Sequence, residues 1–203
     1  MSDGGLYHEG NRKLQDQFDS RRIADRLEQV TLHQPFTGSD VEFINNSAMF
    51  FLATADEDGW PDVSYKGGLP GFVRVTDVNE LAFPVYDGNG MFKSIGNLLV
   101  NPKMGMLFID FEGQNRMRVQ GTATVRSDDA LMESFPGAQL IVRVRAGRIF
   151  PNCPRYIHRM TLVEHSVYAP KESYKPPVPD WKRMPVFKDH LPKMGPAAAN
   201  LEE

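Results

Sequence analysis

A chain of 203 residues, 41% of them hydrophobic, carries enough apolar side chain for one substantial core. A formal net charge of −3, without a run of basic residues, excludes the electrostatic footprint of a nucleic-acid binder. There is no apolar stretch long enough to span a membrane, no signal-peptide pattern at the N-terminus, and a single cysteine, Cys153, so an internal disulfide and a cysteine-rich zinc site are excluded and the expectation is a cytoplasmic protein without membrane contact.

Residues 1–10 are polar and glycine-rich and are expected to be loose. Leu14, Phe18, Ile23, Leu27 and Val30 then recur at helical spacing among charged residues, which predicts one amphipathic helix lying on a core or on a partner. Ser39 and Glu42 have capping-box spacing and predict a second, short helix to about Asn46. From residue 49 the period becomes that of strands. Runs at 49–55 and 61–66, 72–76 and 81–86, and 104–111 and 116–125 predict three hairpins, with a helix at 91–101 between the second and the third. A short helix at 128–135 and a long strand at 139–150 follow. Six or more strands joined mainly by tight turns predict a mainly β fold, an antiparallel barrel or strongly coiled sheet with peripheral helices. Prolines at 170, 176, 177, 179, 185, 192 and 196 predict an extended arm docked on the surface. The organisation expected is an N-terminal helical segment (1–38), a barrel domain (39–169) and a proline-rich arm (170–203).

The richest chemistry lies between Pro84 and Pro102. An apolar run ends in a turn holding Gly88 and Gly90 and opens onto a helix that bears Lys93 and Ser94. Small residues let backbone N–H groups approach an anion at a helix start, and Lys93 and Ser94 add a charge and a hydroxyl. A plain chain reversal with Lys93 in water fits the same residues. Arg143, Arg145 and Arg148 read as a solvated strand face, with a cation reaching a ligand as the alternative. Cys153 sits near Arg155 and Arg159, which could lower its pKa, although a lone cysteine more often packs than reacts. Cys153, His158 and His165 match no compact zinc spacing, so no metal is expected. Trp60, Tyr65 and Tyr86 either border a planar ligand or fill the core. The loop 151–158 gathers Cys153, Arg155, Tyr156 and His158 between prolines, and is expected to border the site and select substrate.

In order along the chain, Ser64-Tyr65-Lys66-Gly67-Gly68, the turn and helix start from Asp87 to Ser94, the helix end at Asn101-Pro102, and the strand from Arg116 to Ala123 resemble the pyridoxamine 5′-phosphate oxidase-like FMN-binding split-barrel superfamily. The resemblance covers about residues 40–165. It implies a six-stranded antiparallel split β-barrel, a homodimer, and one FMN in each of two clefts between subunits. It also implies that Ser64, Tyr65, Lys66 and Gly67 line the flavin ring and ribityl chain, that Lys93 and Ser94 bind the phosphate, with Asn97 one turn further along the same helix face and Asn89 among the cofactor-binding residues, and that Arg116 or Arg118 reaches the flavin. Ser64 stands where the oxidase itself has a basic phosphate ligand, and the oxidase's C-terminal Arg-x-His pair has no clear counterpart, which weighs against vitamin B6 oxidation. The function implied is an FMN-dependent oxidoreductase with a small-molecule substrate, Arg155 and His158 as substrate contacts, and no catalytic acid or base that the sequence names. Alternatives on the same scaffold are a non-catalytic flavin or haem carrier or sensor, and a deazaflavin (F420)-dependent reductase.

Overall fold

The computed structural model describes residues 5–193 and residue 198; residues 1–4, expected to be loose, and Pro196 of the arm lie outside the described residues. Period-two alternation builds the sheet. In β1 (Met49–Ala55) Phe50, Leu52 and Thr54 turn inward and are buried, while Phe51, Ala53 and Ala55 face outward. The other strands are β2 (Pro61–Gly67), β3 (Arg74–Asp77), β4 (Glu80–Tyr86), β5 (Lys103–Asp110), β6 (Asn115–Arg126) and β7 (Ala138–Pro151). Every pairing is antiparallel, and the three expected hairpins form, in the order β2-β1-β5-β6-β7-β4-β3.

The sheet has seven strands, matching the seven runs read from the sequence and one more than the six-stranded barrel that the resemblance implies, and it does not close: β2 and β3 are its two edges. The four-residue β3, expected from the run at 72–76, pairs only with β4. A bulge between Gln120 and Gly121 interrupts the β6–β7 ladder, where the Arg145 carbonyl leaves no room for a Cβ at residue 121, and a bulge of this kind bends a strand. Inside the curve the Phe50 ring lies 5.0 Å from Phe83, 5.3 Å from Phe108 and 5.8 Å from Phe72, centroid to centroid. Each such buried phenyl contributes roughly 1.5–3 kcal/mol.

The N-terminal region forms two helices, α1 (Glu9–Gln17) and α2 (Arg21–Thr31), where one was expected. Asp19, in the left-handed region at φ 49°, breaks the run, and no glycine marks the place. Leu14, Phe18, Ile23, Leu27 and Val30 all remain exposed, so the apolar stripe covers no core within the subunit. The box that starts α3 (Gly38–Asn45) is Thr37 with Asp40, in place of Ser39 with Glu42. Thr37 Oγ1 accepts from the Asp40 N–H at 3.3 Å and Asp40 Oδ2 accepts from the Thr37 N–H at 2.7 Å.

The middle helix, α4 (Lys93–Val100), starts two residues later than expected because Phe92 is left-handed at φ 49°. It buries Ser94, Ile95, Asn97 and Leu98, and Asn97 Nδ2 donates to Thr54 Oγ1 at 3.1 Å, which pins the helix to β1. The arm is not purely extended. It contains two short helices, α5 (Asp180–Arg183) and α6 (Pro185–Lys188), locked by Trp181 edge-on to Phe187 at 5.7 Å. Pro185 fits there because the first helical position needs no N–H. Among the described residues no helix is long and apolar enough to cross a membrane.

Candidate cofactor site

The register of β2 divides the residues singled out from the sequence. Ser64 pairs with Leu52 and Lys66 with Phe50, so both point to the inner face, toward α4. Tyr65 pairs with Phe51, Phe51 with Leu107, and Leu107 with Arg118, so Tyr65, Arg116 and Arg118 share the outer face. The sheet itself separates the two groups.

On the inner side Lys66 Nζ donates to Ser94 Oγ at 2.8 Å, and Ser94 is buried in the first turn of α4. Burial holds the Lys66 ammonium below the usual lysine range, with the Asp62 carboxylate partly offsetting this. Among the described residues Lys66 has no carboxylate within ion-pair distance, whereas Lys93, half exposed at the helix start, lies 4.0 Å from Asp56 Oδ2. Ser64 Oγ is buried and has no hydrogen-bond partner. No side chain caps the N-terminus of α4, which leaves its first N–H groups open to an anion. Two further residues of the expected cofactor set make bonds within the chain. Asn97 spends its amide on Thr54, and Asn89 Oδ1 accepts from the Met91 N–H at 3.0 Å, shaping the turn.

On the outer side the Tyr65 ring packs edge-on to Phe51 at 6.1 Å and covers Gly67, where a Cβ would lie 2.7 Å from Tyr65 Cε1. Arg118 is held below the usual arginine range, first by burial and then by the charge of Arg116. Arg116 Nε and Asn152 Oδ1 are buried without partners, and the Asn152 N–H meets the Arg116 carbonyl at 3.4 Å. The 151–158 loop therefore runs along the start of β6, on the arginine side. Its Arg155 and His158 are exposed. Hydrogen bonds from the Arg155 backbone and side chain pull the exposed Cys153 thiol below its ordinary value, helped by the charges of Arg155 and Arg116. A cleft of about 830 Å³ opens beside Tyr65, walled by Phe43, Met49, Ile109 and Met160. A second, of about 1110 Å³, carries Lys103, Arg145 and Arg148 and includes none of the cofactor residues named from the sequence.

The solvated reading fails for Arg143. Its Nε donates to Asp129 Oδ2 at 2.5 Å and its Nη1 to Glu80 Oε1 at 2.7 Å, a structural network joining β7 to β4 and to the short turn at residues 130–134. Trp60 and Tyr65 are exposed, not core, while burial pushes Tyr86 up to about 12. Among the described residues no group of three metal-ligating side chains converges. Sequence reasoning missed Lys182. This residue of α5 is 4% exposed and donates from Nζ to Asp87 Oδ2 at 2.6 Å, at the start of the turn that leads into α4. A lysine in a proline-rich arm carries no local signal for such a contact.

The family model for pyridoxamine 5′-phosphate oxidase matches residues 36–157, more than half of the chain. The chain belongs to the pyridoxamine 5′-phosphate oxidase family. No curated protein matches it. Among solved structures, this family member is similar to HupZ from Group A Streptococcus, at 22% identity over 57% of this chain and 93% of that one, TM-score 0.47. It is also similar to an FMN-binding protein from Syntrophomonas wolfei subsp. wolfei (12% identity, 70% of this chain and 96% of that one, TM-score 0.43). A third similar structure is HutZ, the haem storage protein from Vibrio cholerae (20% identity, 54% of this chain and 90% of that one, TM-score 0.41). The matched segment of this oxidase-family chain contains both Lys66 and Ser94 on the inner face and Arg116 and Arg118 on the outer.

Proposed function

We propose that this protein is an FMN-binding homodimer that acts as a flavin-dependent oxidoreductase, with the FMN phosphate held on the inner side of β2. The observation that carries the reading is the Lys66–Ser94 pair. A half-buried ammonium whose hydrogen-bond partner is a neutral hydroxyl, with Asp62 acting only from beyond ion-pair distance, lacks a counter-charge in contact with it. A phosphate carrying about −1.5 to −2 charges at pH 7 supplies that charge. The orphaned Ser64 Oγ and the uncapped first turn of α4 offer further donors to the same anion, and Lys93 adds a second cation at the rim. The residues present thus fit the phosphate end of FMN.

When bound, the flavin supplies hydride or electron transfer. The chain's own residues bind and orient it. Lys66 and Ser94 hold one end, and the buried Asn97–Thr54 bond keeps α4 against β1 so that this geometry does not drift. Tyr65, Arg116 and Arg118 face away from that end, which supports a site completed across a two-fold axis by a second subunit. The exposed Val63 and Tyr65 on that face supply apolar surface for the contact.

The reading is tested by FMN titration of Lys66→Met/Ser94→Ala against the unmodified protein. Charge-assisted bonds are worth roughly 1.5–3 kcal/mol each, so affinity should fall by more than tenfold while the far-ultraviolet spectrum stays the same. Equal affinity in a folded double variant would overturn it.

A further inference from the structure

The geometry points to Lys182 of the C-terminal arm as a positioning residue for the phosphate end of the cofactor site, acting through its buried ion pair with Asp87. The inference rests on the proposed phosphate site and extends it to a part of the chain outside the segment matched by the family.

Asn97 pins α4 to β1 one turn along, while the turn from Asp87 to Phe92 sets where the helix begins and so where Lys93 and Ser94 lie. The turn itself has few anchors. A Cβ built at Gly88 or Gly90 would meet nothing within 4 Å, Met91 is 71% exposed, and the side-chain bond within the turn, Asn89 to the Met91 N–H, is local. Two left-handed residues, Gly90 at φ 77° and Phe92 at φ 49°, give the turn a shape that its own residues do not enforce. A tie to the rest of the molecule is at Asp87. Lys182 Nζ meets Asp87 Oδ2 at 2.6 Å with the lysine side chain 4% and the aspartate 23% exposed.

An ammonium buried to that degree is stable only against a charge partner, so the pair cannot open cheaply. The arm can bear the load because α5 is itself fixed. The Trp181 and Phe187 rings pack edge-on, and the Lys182 N–H donates to the Pro179 carbonyl at 3.0 Å. Upstream, Pro170 lies against Gly137 at the start of β7, which seats the arm on the sheet flank next to β4. The arm is thereby a strap whose contact falls on the entry to the phosphate-binding helix.

The test compares FMN with riboflavin, which lacks the phosphate, as ligands of the full chain carrying Lys182→Met, Asp87→Asn, or both. If Lys182 positions the phosphate end, the preference for FMN over riboflavin should drop at least fivefold in each variant, while riboflavin affinity changes less than twofold. Lys182→Arg should restore most of the preference. A strap that merely stabilises the fold would weaken both ligands alike and leave their ratio unchanged, and that result overturns the inference. Should Lys182→Met fail to fold, the double variant, which leaves no unpaired buried charge, carries the test with the same expected ratio. An unmodified protein with no preference for FMN over riboflavin would instead remove the phosphate site itself. A preference that survives in Asp87→Asn removes the strap alone.

Discussion

β2 sends alternate residues into two environments, and each environment lacks something different. Its inner face gives Ser64 and Lys66 fewer hydrogen-bond and charge partners than buried polar groups require. Its outer face leaves Val63 and Tyr65, 68% and 63% exposed, without apolar cover. The first deficit is electrostatic, of the kind a small anion would meet. The second is hydrophobic, of the kind a protein surface would meet. One edge strand can therefore serve a cofactor and a subunit contact together, provided that its register is fixed, since a slip of one residue would exchange the two faces.

The two faces separate most sharply in stability. Phe50→Ala removes a fully buried inner ring and should cost about 3–5 kcal/mol in denaturant unfolding. Phe51→Ala, one residue along on the half-buried outer face, should cost less than half of that, and equal losses would end the distinction. Next comes assembly. Val63→Lys/Tyr65→Lys should shift the proposed dimer to monomer by sedimentation at micromolar concentration with its circular dichroism unchanged. A dimer of undiminished affinity would place the contact elsewhere.

The subtlest effect is on pH. Burial puts the folded pKa of Lys66 below its unfolded value near 10.4, so between the two values the unfolded chain holds more protons. The burial penalty on Lys66 is full at neutral pH and is relieved as pH rises through the depressed pKa, so the free protein gains stability in that window. FMN affinity should fall there, because the phosphate needs the ammonium. Lys66→Met should abolish both trends, and a variant that keeps the affinity loss would assign it to another group.

Much of the fold was legible because alternation is a local signal. The β1 pattern of Phe50, Leu52 and Thr54 against Phe51 and Ala53 reads directly as a half-buried strand, and the hairpin turns follow from their short polar links. The helix ends were less legible. Thr37 with Asp40 and Ser39 with Glu42 have the same spacing, and the choice depends on a backbone angle. Asp19 breaks the N-terminal run in a conformation usually left to glycine. In the candidate site, Lys93 and Ser94 stood out because the turn and helix lie together in sequence. Lys66 meets Ser94 across 28 positions and Lys182 meets Asp87 across 95, separations at which no local pattern speaks. The placing of Arg116 and Arg118 opposite Lys66 is a matter of parity, visible only once β1, β5 and β6 are in register.

A crystal structure of the FMN complex will show whether the inner face of β2 holds the phosphate. Phosphate oxygens should lie at about 2.7–2.9 Å from Lys66 Nζ and within hydrogen-bond reach of Ser94 Oγ and the first N–H groups of α4. A phosphate bound instead to Arg116 and Arg118 on the outer face, with the Lys66–Ser94 bond undisturbed, would contradict that placement.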